Sequence, residues 1–318
     1  MDPKQTTFKV LMFPCLAHGH IFPFLELVKK LSTTKTFHIY FLSTSINLNS
    51  VRKSINDDNT ISIEVVELQL PSPLMPTLMQ AFQMSIPNFS QIIADLKPNL
   101  LIYDGFQPWS AKIASSLNIP SVLSATSASA SLSFFHHQYT HKSFDTYPYP
   151  QIFLKEYELR NLASQGGSIE VNDNDEGFVF GIFKLSNDIV LIKSCRGIEG
   201  KYMDYLSKLC NRKIVPTGPL IPKNDADESQ ESAEIMDWSS KKSPFSTLYI
   251  SFGSEITLDE ILPREFVDGV KRTDRGVILK EWAPQAATLA HPSVGGFMSH
   301  CGWSYFSNKS IIWIFNFR

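Results

Sequence analysis

Residues 8–31 read FKVLMFPCLAHGHIFPFLELVKKL, and this stretch decides the fold class. Phe8–Phe13 is a short apolar run stopped by Pro14, the pattern of a buried strand. After a turn holding Gly19, residues Ile21, Phe24, Leu25, Val28 and Leu31 recur at helical spacing, which predicts a helix over 20–31. A buried strand leading through a short turn into an amphipathic helix is the start of a parallel α/β unit. The same alternation continues outward. Strands are predicted at 38–43, 61–68, 100–103 and 121–123, and helices at 75–96 (kinked or split by Pro87), 109–117 and 128–137. Short connections between them imply a parallel sheet with helices on both faces.

Segment 139–186 is rich in Tyr, Pro, Ser and Asn and reads as a surface excursion. Alternation returns with a strand at 188–192, a helix near 199–209 and a strand at 213–215. Residues 221–234 (IPKNDADESQESAE) are polar and acidic with no apolar period, so a linker is placed at 222–240. Strands at 247–251, 276–279 and 295–299 then mark a second α/β unit. The expected organisation is a domain over 1–221, the linker, and a partial domain over 241–318.

Composition agrees with this and narrows the partners. A chain of 318 residues with 43% apolar and 19% charged residues is globular, and long enough for two domains. Lys plus Arg is 29 against Asp plus Glu 31, a net charge of −2, which argues against nucleic acid or an anionic membrane as partner. The four cysteines, Cys15, Cys195, Cys210 and Cys301, include no CxxC pair, so neither a disulfide framework nor a structural zinc site is expected. No apolar stretch reaches the ~18 residues of a membrane span. The N-terminus does not read as a signal peptide, and a cytoplasmic location is expected.

Three places can carry chemistry. His20 lies at a helix N-terminus beyond strand one, at the carboxyl edge where doubly wound sheets bind ligands. The helix dipole there disfavours imidazolium, leaving a histidine able to act as a base. A capping or half-buried histidine is the alternative, and spacing alone does not separate His20 from His18. Asp104, directly after the strand in LIYDGFQPW, lies at the same edge; its carboxylate could bond one imidazole nitrogen and fix the tautomer. Its competing role, N-cap of the helix starting near Pro108, would place it several residues early. The third place is densest: Trp282-Ala283-Pro284-Gln285, then Gly295-Gly296-Phe297-Met298-Ser299-His300-Cys301-Gly302-Trp303-Ser304. A strand running into His, Gly and a helix start offers backbone N–H groups to a phosphate, and an exposed Trp offers a stacking face to a base. Gly253 and Ser254 in SFGS could add a phosphate contact, although taken alone they read as a turn. GxGxxG, GxxxxGK[ST] and GxSxG are all absent, which disfavours a dinucleotide-binding epimerase.

These strings carry a resemblance. WAPQAATLAHPSVGGFMSHCGW resembles the front of the signature box of plant UDP-dependent glycosyltransferases. LAHGHIFPFLELVKKL and LIYDGFQPWSAKIA resemble their N-terminal catalytic segments, and LAHGH, KPNLLIYDGFQPW and SFGSE look most like the branch that adds sugars to existing glycosides. The resemblance covers nearly the whole chain to Trp303. It implies a GT-B fold: an N-terminal acceptor domain, a C-terminal UDP-sugar domain, and a cleft between them. By match, His20 would be the general base and Asp104 its partner. Trp282 would stack on uracil, with Ala283 beside it, and Gln285 would contact the nucleoside. His300 would meet the diphosphate, with Gly302, Trp303, Ser304, Ser254 and Gly253 around the phosphates. Thr126 in SATSASA would lie near the donor sugar. The implied reaction is one inverting displacement at the anomeric carbon, UDP leaving, with UDP-sugar as co-substrate, no metal, a small-molecule acceptor and a monomeric enzyme.

The chain departs from the family pattern after HCGW. Asn308 stands where the family has the ribose-binding Glu, and the later Asp-Gln pair that holds the sugar is missing. Gaps are expected between Glu255 and Leu262 and near 71–74, and the tail from about residue 304 fits no family element. A truncated, non-catalytic relative or an incomplete gene model is therefore the competing expectation.

Overall fold

A computed structural model of the chain describes residues 7–34, 36–56, 63–69, 83–164, 182–220, 230–252, 263–273, 275–279 and 284–299. The chain divides into two units, Met1–Leu220 and Ile221–Arg318.

The first unit is built on a seven-stranded, wholly parallel sheet in the order β3-β2-β1-β4-β5-β6-β7. The strands are β1 Phe8–Phe13, β2 Phe37–Ser43, β3 Ile63–Glu67, β4 Leu100–Tyr103, β5 Ser121–Ala125, β6 Ile189–Ile192 and β7 Lys213–Pro216. The helices are α1 His18–Ser32, α2 Ser45–Asn56, α3 Ile86–Leu96, α4 Pro108–Ser116, α5 Ser129–His141, α6 Glu156–Ser164, α7 Ile182–Leu185 and α8 Arg196–Cys210. Alternation along β1 explains the two cores. Val10 and Met12 point to one face with Ile39, Phe41 and Ile102, where Ile21, Phe24, Leu25 and Val28 of α1 cover them. Leu11 and Phe13 point to the other, with Leu101, Tyr103, Leu123 and residues of α3, α4 and α8. A central strand buried on both faces needs an unbroken apolar run, which Val10–Phe13 supplies.

The strand order reverses between β1 and β4: β2 and β3 lie on one side, β5 to β7 on the other. Such a reversal opens a crevice at the carboxyl ends of the two central strands.

The described part of the second unit holds α9 Gln230–Ser240, β8 Thr247–Ser251, α10 Arg264–Thr273, α11 Gln285–Ala290 and β9 Val294–Ser299. β8 and β9 pair in parallel, and Tyr249 stacks on Phe297 at 5.2 Å. Gly295 is required by close approach, since a Cβ there would sit 2.2 Å from the carbonyl oxygen of Phe245.

The split expected at Pro87 is present: helical residues 83–84 give way to a turn at Ser85 before α3 starts, and Pro87 falls in the first turn of α3, where its missing N–H costs nothing. Several expectations are corrected. α2 was not legible as a helix. Segment 139–186 is no mere surface excursion: Tyr147 is buried, Phe144 stacks on Phe134 at 4.7 Å, and Ile182 and Phe183 enter the core. Residues 230–240 of the expected linker form α9, with Ile235 buried. Residues 276–279 form no strand; among the described residues the sheet of this unit holds β8 and β9.

Candidate active site

The carboxyl ends of β1, β4 and β5 bring three side chains together. α1 begins three residues after Cys15, with Ala17 as its N-cap in extended conformation, and the His20 N–H donates to the Ala17 carbonyl at 2.9 Å. His20 is thus in the first turn of the helix covering the sheet. Asp104 follows β4, and its backbone N–H donates to the Phe13 carbonyl at 3.1 Å, continuing the β1–β4 ladder by one step. Across the strand-order reversal, His20 Nδ1 lies 2.7 Å from Asp104 Oδ2, with the two side chains 21% and 2% exposed.

Asp104 does two jobs with two oxygens. Oδ1 accepts from the Phe106 N–H at 3.1 Å, an Asx turn that orients the carboxyl group, and Oδ2 faces the imidazole. It is not the helix N-cap; Gln107 takes that place. An ionised carboxylate only accepts, so the Nδ1 facing it carries the hydrogen and the lone pair of the neutral ring sits on Nε2. Phe106 packs edge-on against the imidazole at 5.2 Å. Thr126, one residue past β5, places Oγ1 3.0 Å from the same Nδ1.

The loop leading to His20 is held by two residues that are not among the candidates from sequence. Gln107 is fully buried and its Nε2 donates to the Pro14 carbonyl at 3.1 Å; Asn47 of α2 donates to the Leu16 carbonyl at 3.2 Å. Gln107 stands three residues after Asp104 and immediately before a helix-starting proline, a signal that could have marked it.

The second unit holds fewer of the expected residues in view. Gln285 is the first residue of α11 and is buried at 7% exposure. His291, inside the same box, closes its own turn: its Nδ1 lies 2.8 Å from Ser293 Oγ and accepts the Ser293 N–H at 3.2 Å. Gly253, Ser254, Trp282, Ala283, His300, Gly302, Trp303, Ser304 and Asn308 lie outside the described residues, as does the side chain of His18. Among the described residues no cluster of three or more His, Cys, Asp or Glu side chains could hold a metal ion, and no helix is long and apolar enough to cross a membrane.

No family model matches the chain. Curated proteins do. Mogroside IIIx synthase of Siraitia grosvenorii is 38% identical over 359 aligned residues, which cover 96% of this chain and 78% of that protein. The chain belongs to the plant UDP-dependent glycosyltransferases. Flavanone 7-O-glucoside 2''-O-beta-L-rhamnosyltransferase of Citrus maxima is 36% identical, with 95% of this chain and 77% of that protein covered. The fold is the GT-B type of the family. UGT71G1 of Medicago truncatula, solved with UDP-glucose, matches with a TM-score of 0.73 at 20% identity over 98% of this chain and 80% of its own. The alignment with the Siraitia enzyme spans 359 positions but takes in only 96% of the 318 residues here, so it includes positions of that enzyme with no counterpart in this chain. Internal gaps relative to the family are among the expectations from sequence, and this match contains such gaps.

Proposed function

We propose that this glycosyltransferase moves a sugar, glucose in the simplest case, from a UDP-sugar to a hydroxyl of a small plant glycoside, with His20 as the base. The observation that carries this is the 2.7 Å contact between His20 Nδ1 and Asp104 Oδ2 at the point where the strand order reverses. In the proposed step Nε2 of His20 takes the proton of the acceptor hydroxyl as its oxygen attacks the anomeric carbon. The bond from that carbon to the diphosphate breaks, UDP leaves with the electron pair, and the configuration inverts. Asp104 holds the hydrogen on Nδ1 and stabilises the imidazolium that forms.

The division of labour follows the two units: 1–221 would bind the acceptor, 222–240 would connect, and 241–318 would bind the donor. Trp282 would stack on uracil beside Ala283, and Gln285 would meet the nucleoside. His300, Gly302, Trp303, Ser304, Gly253 and Ser254 would surround the diphosphate. The support for these is the shared box with the family. UDP-sugar acts as co-substrate, and the displacement calls on no metal because an imidazole base and a good leaving group suffice. The enzyme would act as a monomer in the cytoplasm.

A glycoside acceptor is favoured because the Siraitia and Citrus relatives are named for making or using glycosides. Product mass spectrometry with UDP-glucose tests it, comparing flavonoid or triterpene glycosides with their aglycones. Addition of a hexose to the sugar of the glycoside is expected. Glucosylation of aglycones with glycosides refused would overturn the acceptor assignment.

A further inference from the structure

We infer that Thr126 is a positioning residue of the base: its hydroxyl is a second acceptor for the hydrogen on His20 Nδ1, and the β5–α5 loop is built to keep it there. This rests on the reading of His20 given above. The family match would put Thr126 beside the donor sugar, but its Oγ1 stands 3.0 Å from the imidazole nitrogen that Asp104 holds at 2.7 Å. One hydrogen on Nδ1 then lies between two acceptors. The carboxylate is nearer and charged, and the hydroxyl fixes the rotation of the ring about the Asp104 contact. Both accept more strongly from an imidazolium than from a neutral ring, so both favour proton uptake at Nε2.

The loop that carries Thr126 is pinned at both ends. On the strand side, the Lys193 N–H donates to the Ala125 carbonyl at 3.0 Å. On the helix side, Glu199 of α8, itself only 3% exposed, reaches the N-terminus of α5: Oε2 accepts from the Ser129 N–H and Oε1 from the Ala130 N–H, each at 2.9 Å. A carboxylate on two first-turn amides is a strong cap, favoured by the helix dipole. Residues 126–128 span the gap between these fixed points, and the β-branched side chain of Thr126 has few rotamers. The Glu199 carboxylate also occupies the α5 N-terminus, which is therefore not open to a donor phosphate.

Three parts of the first unit thus converge on one ring nitrogen: α1 supplies it, the β4 edge gives the carboxylate and the β5 edge gives the hydroxyl. Asp104 is a titratable group in contact with the ring, and Lys193 lies one strand beyond Thr126 along the sheet edge; neither is altered by changing Thr126.

The test reads the ring itself, in the full 318-residue chain without ligand. With imidazole-¹⁵N label, the His20 signals are those lost in His20→Gln. Wild type should show the Nδ1-protonated tautomer. Thr126→Val, which swaps the hydroxyl for a methyl, should lower the midpoint of the His20 titration by roughly 0.3–1 pH unit, a two- to tenfold weaker hold on the proton, as expected for one lost hydrogen bond. Thr126→Ser should restore it. Should Val disturb folding by circular dichroism, Thr126→Ala carries the same expectation. An unchanged midpoint and tautomer in a folded Val or Ala variant, or no recovery with Ser, would overturn the assignment. A residue that only gripped the donor sugar would change the KM for UDP-sugar and leave the ligand-free titration alone. Retained turnover in His20→Ala would instead sink the base assignment without touching this measurement.

Discussion

Changing Asp104 to asparagine separates orientation from packing, because the structure dictates what each amide atom must face. In the native site Oδ1 accepts the Phe106 N–H at 3.1 Å and Oδ2 accepts from His20 Nδ1 at 2.7 Å. An amide has one oxygen for these two donors. If the oxygen keeps Phe106, the NH₂ group faces Nδ1, the ring must take the other tautomer, and the hydrogen moves to the Nε2 that should receive the acceptor's proton. If the amide flips, the tautomer survives but the NH₂ group opposes the Phe106 N–H. That leaves two donors facing each other in a partly buried site at about 1–3 kcal/mol, a population penalty of about 5- to 150-fold. The flipped form also lacks the charge that stabilises imidazolium. The expected loss in kcat is therefore about 10²–10⁴-fold, with UDP affinity unchanged and global stability within about 1 kcal/mol. UDP release, isothermal calorimetry with UDP and urea unfolding measure the three quantities. An Asp104→Asn enzyme turning over within a few-fold of wild type would refute the tautomer argument.

Glu199→Ala should destabilise the first unit by about 2–4 kcal/mol, since it strips two charge-assisted bonds from the start of α5, and Glu199→Gln by less; a urea midpoint equal to wild type would count against the cap. His136 is buried against Phe183, with ring centroids 5.3 Å apart, and burial lowers its pKa from 6.5 to about 4, with Lys184 and His141 adding to the shift. A depressed pKa means the unfolded chain binds the proton first, so this contribution is intact above pH 6.5 and lost as pH falls toward 4. The loss should reach about 3 kcal/mol and be flattened in His136→Gln, measured as urea stability against pH. Trp282→Ala should weaken UDP binding by roughly 1–3 kcal/mol in calorimetry, the worth of one base stack, and leave acceptor binding alone; equal loss of both would make Trp282 a core residue.

The parts of the fold legible in sequence are those set by local pattern. β1, β4 and β8 lie where they are expected, because Phe8–Phe13, Leu100–Tyr103 and Thr247–Ser251 are short runs rich in β-forming residues. α2 escaped notice since SINLNSVRKSIN is crowded with Ser and Asn, poor helix formers, and its buried residues Leu48 and Val51 give too short a stripe to show a period. The aromatic packing of Phe144 and Tyr147, and the burial of Phe183, come from contacts with distant helices that no local window contains. At the site, the nature of His20 and Asp104 was legible from their place after apolar strands. Their 2.7 Å contact spans 84 residues and needed the sheet order. The approach of Thr126 to the same nitrogen, across 106 residues, was hidden: a hydroxyl in a Ser- and Ala-rich loop has no pattern of its own. The Glu199 cap was hidden likewise, being an ordinary acidic residue in a helix until α8 is placed beside α5.

The most direct test of the account is turnover by His20→Ala beside its UDP affinity. With UDP-glucose and a glycoside acceptor, UDP release should fall by about 10²–10⁴-fold while calorimetric UDP binding stays at the wild-type value. Wild-type rates of UDP release from His20→Ala would contradict this and place the base elsewhere.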